Sequence, residues 1–266
     1  MEQDNTYIRF DWAMKHMLRD KANFGILEGL ISVLLGEDVK IVELLESKSG
    51  SVWYDDSSNR LDIMARNSND QLIIVEMQLV RQLHYLYRKY YGKCKVITKH
   101  AYSSVKYGQV KKVYSINILF CDFGYGDDYI YHGETSFYFK GMNTGNYLRV
   151  DIKENGVIVA HLPIEMSPEY YVIRIKAYDK RPATPVDEWI KYIKTGKVTE
   201  NTRTPGLQEV CDKLQPLMMT LKESREYYDY MDTIMVQNDV LDTVRNEGFA
   251  KGYAEGLAES QEKIGR

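Results

Sequence analysis

Three side chains have the types and spacing to hold a hard cation: Asp62, Glu76 and Gln78. Glu76 and Gln78 stand two residues apart, so on an extended strand they project from one face, while Met77 and Leu79 keep the other face apolar. Asp62 lies ahead of a polar stretch, Asn67-Ser68-Asn69-Asp70, that has the chemistry of a turn. If the segments around that turn pair as a hairpin, Asp62 comes to lie beside Glu76. Two carboxylates and an amide oxygen would then form a donor set for Mg2+ (or Mn2+). A solvated strand end with an incidental acid on its neighbour fits the same three residues, and both readings stay open at this level.

The elements that must position these residues follow from hydrophobic patterning. Residues 61–65 alternate as Leu61, Ile63 and Ala65 around Asp62. Residues 72–79 are apolar on both faces through Ile73-Ile74-Val75, as expected of a central strand covered on each side. Residues 39–47 carry enough Val, Ile and Leu for a strand leading into this hairpin, and residues 113–120 read as another sheet strand. Residues 11–35 are predicted helical in two pieces. Asp11 caps the first, Asn23 caps the second, and Gly36 ends it. Glu28 lies among the apolar positions of the second piece, either as a further ligand for metal or water or on a solvated helix face.

Further on, residues 121–128 form a loop that lacks the spacing of a calcium loop. Residues 131–139 and 147–152 are predicted to form a hairpin extending the sheet, followed by a strand at 157–162. His132 and His161 have no motif partner and read as structural. Residues 163–185 show no clear period and read as wrapping the core. A helix at 186–193, a linker-like stretch at 194–205, and helices at 207–221 and 224–235 follow. The tail repeats Gly-Phe-Ala-Lys, Gly-Tyr-Ala-Glu, Gly-Leu-Ala-Glu from Gly248, which puts a small-residue stripe on a helix suited to self-association; a frayed, solvated helix fits the same repeat.

A 266-residue chain with 44% hydrophobic and 27% charged residues is of globular composition. Cys94, Cys121 and Cys211 are far apart, which points to a reducing compartment and excludes a structural zinc motif. No run approaches the length of a membrane span and residues 1–11 are too polar for a signal peptide, so a cytoplasmic location without membrane contact is expected.

The net charge of −3 conceals one concentrated region. Between residues 81 and 112 there are nine Lys or Arg and no Asp or Glu, together with six Tyr, on what reads as a long helix. Basic groups neutralise phosphates and aromatic rings stack or pack, so this surface suits a polyanion. A solvated helix whose tyrosines cover the sheet fits it as well. Because the segment starts directly after Gln78, its first turns stand above the candidate site, where Gln82 and Arg88 could reach a phosphate. Arg81, Lys89, Tyr91 and Lys95 extend the same surface. A cation between carboxylates beside a basic surface is what phosphodiester hydrolysis needs.

The stretches D-W-A-M-K-H-M-L, R-L-D-I-M-A leading to I-I-V-E-M-Q, Y-R-K-Y-Y, and Y-G-Q-V-K-K-V-Y-S-I-N-I resemble the PD-(D/E)XK nuclease family transposases in order and spacing over about the first 125 residues. The resemblance implies a restriction-endonuclease-like fold. It implies Asp62 and Glu76 as metal-binding acids and Gln78 where the wider superfamily has a catalytic lysine. Asp11 matches an N-terminal motif, and Arg88 and Tyr91 match a helix motif. Leu61 stands where the superfamily's motif has proline.

The expected architecture is an α/β protein with a mixed central sheet flanked by helices and a helical C-terminal extension. Its expected parts are a nuclease-like domain over 1–165, a mostly helical extension over 166–240, and a repeat tail over 241–266. The expected function is a metal-dependent DNA endonuclease linked to recombination or mobile DNA. The alternative is a nuclease fold that binds nucleic acid without cutting it.

Overall fold

The computed structural model describes residues 5–45, 60–78, 87, 91–92, 94, 112–134, 142–143, 152–154, 157–159, 168–179 and 182–264. At its centre is the predicted hairpin, strand β3 (Arg60–Asn67) and strand β4 (Leu72–Gln78). The turn forms because the Asn67 side-chain oxygen accepts N–H groups from Asn69 and Gln71, at 3.1 and 2.8 Å, and Asp70 takes a left-handed conformation with φ 63°. Arg66 then bonds Asp70 on one side and Glu43 on the other, tying strand β2 (Ile41–Leu44) to the hairpin.

Strand β5 (Val113–Leu119) lies parallel to β4, and all seven residues of each strand are buried. Strand β9 (Glu169–Arg174) lies parallel to β5, and strand β6 (Ile130–Gly133) closes the far edge antiparallel to β9. The six-stranded sheet therefore runs β2-β3-β4-β5-β9-β6, a mixed sheet as expected. Parallel pairing of β4 with β5 requires a crossover between them, which residues 79–112 supply. Those between 79 and 111 lie outside the described residues except for 87, 91, 92 and 94, which are helical.

One reading is corrected here. Residues 163–185 do not merely wrap the core, because β9 is an interior strand of the main sheet. Its Glu-Tyr-Tyr-Val-Ile-Arg sequence is a run of strong β-formers between two charges, and the charged ends and tyrosines hide the burial pattern. A second correction concerns the predicted second hairpin. Ile130–Gly133 pairs with β9, whereas β7 (Ile152–Glu154) pairs with β8 (Val157–Val159) in a separate two-stranded sheet. The remainder of that predicted hairpin lies outside the described residues.

Helices α1 (Phe10–His16) and α2 (Phe24–Leu35) form as the periodicity requires, and Gly36 terminates α2 at φ 71°. The caps differ from expectation. Arg9 is the N-cap of α1, with Asp11 the second residue of its first turn. Asn23 precedes α2 without a side-chain cap, its amide donating instead to the Met17 carbonyl. The core over these helices is completed from the far end of the chain by α3 (Pro185–Thr195) and α4 (Leu207–Lys213). Phe10 meets Trp189 and Tyr192 edge-on, with ring centroids 5.9 and 6.1 Å apart, and each such pair contributes roughly 0.5–1.5 kcal/mol beyond burial.

Residues 194–205 are not a linker. Within them β10 (Lys197–Val198) pairs with β1 (Asn5–Thr6), and the buried hydroxyls of Thr202 and Thr204 both donate to Glu188. Close approach explains the glycines nearby: a Cβ at Gly29 would sit 2.4 Å from the Cα of Gly206.

The chain divides into two compact units, Met1–Gln215 and Pro216–Arg266, so the expected break at 165/166 falls inside the first. The second unit is dominated by α5 (Leu221–Ile264), 44 residues and about 66 Å of continuous helix where a helix over 224–235 and a separate repeat tail were expected. No described helix is long and apolar enough to cross a membrane.

Asp187 ties several of these elements together. It closes a capping box with Thr184 at the start of α3, accepts the Ala183 and Thr184 N–H groups, and accepts the Tyr129 hydroxyl. Burial works to raise its pKa, but these donors prevail and hold it below the usual carboxylate range, while the Tyr129 hydroxyl, bonded to it, is pushed up to about 12. A depressed carboxyl contributes stability above its unfolded pKa and loses it as pH falls through the folded value. Asp187→Asn is therefore expected to cost about 1 kcal/mol at neutral pH. In thermal unfolding, its difference from the native chain should shrink below about pH 4, near the unfolded Asp pKa. A difference independent of pH would contradict this assignment.

Candidate active site

The register of the sheet builds the site. Asp62 on β3 is the direct cross-strand partner of Glu76 on β4, and Glu76 is in turn the partner of Asn117 on β5. Directly paired positions share a face, so 62, 76 and 117 form one row across three strands, each step about 4.8 Å. Two residues further along β4, Gln78 pairs with Arg60 and Leu119. Glu76, Gln78 and Asn117 are 3%, 1% and 1% exposed. The side chains of Asp62 and Arg60 lie outside the described residues.

This face changes character along β4. At the start of the strand Leu72 and Ile74 form an apolar cluster with Val113, against which Leu45 and Met64 pack. At its end stand Glu76 and Gln78, with Asn117 beside Glu76 on β5 and Ser115 two residues before it, beside Ile74. On the opposite face Ile63, Ile73, Val75, Met77, Ile116, Ile118 and Ile173 are all buried. On the face of Glu76, the polar groups of β4 gather at one end of the strand. The solvated-strand reading fails at this point, because Glu76 and Gln78 are buried.

Sequence reasoning missed Asn117, having read residues 113–120 as simply apolar. The available signal was Ser115 and Asn117 at one parity of an otherwise apolar strand, continuing the parity of Glu76 through the register. Gln78 also holds the strand end in place, its carbonyl accepting the Phe120 N–H at 2.9 Å.

The remaining candidates fall elsewhere. Asp11 is 1% exposed on α1, a helix that contacts β3. It is held by Arg9 through Nε and Nη2, at 3.1 and 2.8 Å, and accepts the Trp12 N–H at 2.9 Å. Glu28 staples α2 to β2: one oxygen accepts the Ile41 N–H at 2.8 Å and the other meets Lys40 at 3.2 Å. Tyr91 is 60% exposed, and Tyr87 80%. Arg81, Gln82, Arg88, Lys89 and Lys95 lie outside the described residues, as does His161.

A second cluster with metal-binding side chains exists. One ligand atom each of His132, Glu134 and Glu169 lies within 4.8 Å of the others. By register it sits on the opposite face from Glu76 and at the opposite end of β5 and β9. Glu169 already meets Lys112, the His132 ring at 3.1 Å and the Tyr171 hydroxyl at 3.4 Å. Burial works to raise its pKa, but Lys112 and His132 hold it below the usual value. Glu169 is thereby already engaged by Lys112 and His132. The row on β3–β5, by contrast, offers carboxylate and amide oxygens and no His or Cys, which fits a hard cation such as Mg2+ or Mn2+.

Comparison with known proteins gives the family of the chain. Searches of curated proteins and of solved structures returned no match. One family model does match, described as PD-(D/E)XK nuclease family transposase, over residues 8–149. That span runs from α1 through the whole β3–β4 hairpin and β5, and it includes every candidate residue of the row. The mixed six-stranded sheet flanked by helices is consistent with the restriction-endonuclease-like fold of that family. The chain belongs to the PD-(D/E)XK nuclease family transposases.

Proposed function

We propose that the chain is a Mg2+- or Mn2+-dependent DNA endonuclease whose cation is held by Asp62 and Glu76. The carrying observation is the buried Glu76 directly across from Asp62, at the polar end of β4. Bound there, the cation would stabilise charge on a phosphate and favour an attacking water as hydroxide. Gln78, on the same face, accepts from and orients that water. Its neutral amide supplies no positive charge, so charge stabilisation at the phosphate falls to the cation and to the basic segment 81–112, which leaves from the end of β4 to grip the DNA backbone. Exposed Tyr87 and Tyr91, one helical turn apart in that segment, offer stacking surfaces.

The neutral Gln78 also supports a second reading, a nuclease fold that binds DNA without cutting it. Cleavage of supercoiled plasmid with Mg2+ separates the two. The native chain is expected to nick or linearise it, and Asp62→Ala or Glu76→Ala to lose at least about a hundredfold in rate, of the order seen when transition-state charge stabilisation is removed. No cleavage by the native chain, with DNA binding retained by it and by Asp62→Ala, would establish the binding reading. Equal cleavage by native and variant would place the active site elsewhere.

The tail supports self-association with a second copy. Phe249, Tyr253 and Leu257 form an exposed row at every fourth residue, and a Cβ at the adjacent Gly248, Gly252 or Gly256 would meet nothing within 4 Å. A ridge beside an open groove of the same period is complementary to itself when two such helices cross. Deleting residues 241–266 is expected to halve the mass measured by light scattering; an unchanged mass would contradict the pairing.

A further inference from the structure

The row of Asp62 and Glu76 does not end at β4 but continues to Asn117 on β5. Asn117 is buried in a strand whose neighbours Ile116, Ile118 and Leu119 are apolar and fully buried. Placing an amide there is costly unless its hydrogen bonds are made. Its Nδ2 lies 2.9 Å from the Ser115 carbonyl, 3.1 Å from the Ser115 hydroxyl and 3.1 Å from the Tyr171 carbonyl of β9. Main-chain carbonyls only accept, so these partners can be met by the nitrogen and not by the oxygen. The amide is therefore locked, with its N–H groups directed along β5 and into the β5–β9 seam.

Three acceptors around one nitrogen do more than satisfy two hydrogens. They hold the amide nitrogen on the β5–β9 side.

We propose that Asn117 is a third oxygen donor to the cation site of Asp62 and Glu76, its Oδ1 presented to that site by the Ser115 and Tyr171 contacts. The proposal rests on the metal-dependent reading above. Its physical basis is charge: two acid positions already face each other across β3 and β4. A third carboxylate in the row would add repulsion in the metal-free protein, whereas an amide adds a ligand without adding charge. Ser115, two residues back on the same face, is then a positioning residue whose hydroxyl holds the amide.

Mn2+ affinity, measured calorimetrically on the full chain without DNA, tests this. The native chain is expected to bind Mn2+ and Glu76→Gln to lose binding. Asn117→Leu should weaken binding about tenfold or more, within the 10–100-fold range seen when groups supporting a metal site are removed. Asn117→Asp sets an oxygen in place of the nitrogen against the Ser115 and Tyr171 carbonyls, and its added charge at the cation should outweigh that loss and tighten binding severalfold. Ser115→Ala, which removes one of the amide's three contacts but keeps its oxygen, should weaken it less than Asn117→Leu.

Opposite shifts from Leu and Asp cannot come from packing alone. If Asn117→Leu does not fold, the near-isosteric Asn117→Asp decides by itself, and a native affinity there overturns the proposal. Lower unfolding temperatures with unchanged Mn2+ affinity in both variants would reduce Asn117 to a packing residue while leaving the Asp62–Glu76 site intact. A native chain that binds no Mn2+, or a Glu76→Gln variant that binds as the native chain does, would overturn the metal-dependent reading and this inference with it.

Discussion

The structure is organised around a carboxylate inside a sheet. Glu76 is 3% exposed in the middle of a strand that is buried on every residue, and its cross-strand partner is a second acid position. Burying a carboxylate is costly, and like charges directly across a strand pair repel. A chain that evolved only to fold would place apolar residues here, as it does on the opposite face of the same strands. On the proposed reading, a cation in the row would offset that cost and give the buried acid a functional reason.

The surrounding topology serves this row. Pairing β3 antiparallel and β5 parallel to β4 puts Asp62 and Asn117 on either side of Glu76 in one step each. The parallel partner also forces a long crossover, and the chain uses it for the basic, tyrosine-rich segment 81–112. Residues far along the chain secure the other side. The β1–β10 pair and the Tyr192 hydroxyl, which donates to the Ile8 carbonyl at 2.7 Å, join the segment after α3 to the strand that precedes α1.

The hairpin was legible in the sequence because two independent signals coincide there, period-two patterning and an Asn-Ser-Asn-Asp turn. Its register followed, and with it the meeting of positions 62 and 76. Strand β9 was not legible: flanking charges and two tyrosines mask an interior strand, and its parallel partner lies 55 positions away, Glu169 against Tyr114. The stretch 194–205 looked like a linker because its burial depends on hydroxyl bonds to Glu188, a contact that composition does not reveal. Asn117 was overlooked for a related reason: one amide in an apolar strand gains meaning only from its neighbours in register.

The most direct test of the account is crystallographic, with crystals grown or soaked in Mn2+ and data collected near the manganese absorption edge. The account requires an anomalous peak against the Asp62 and Glu76 carboxylates, at about the 2.0–2.2 Å expected of hard-cation oxygen contacts. A peak at His132, Glu134 and Glu169 instead, or none while Mn2+ binds in solution, would contradict it.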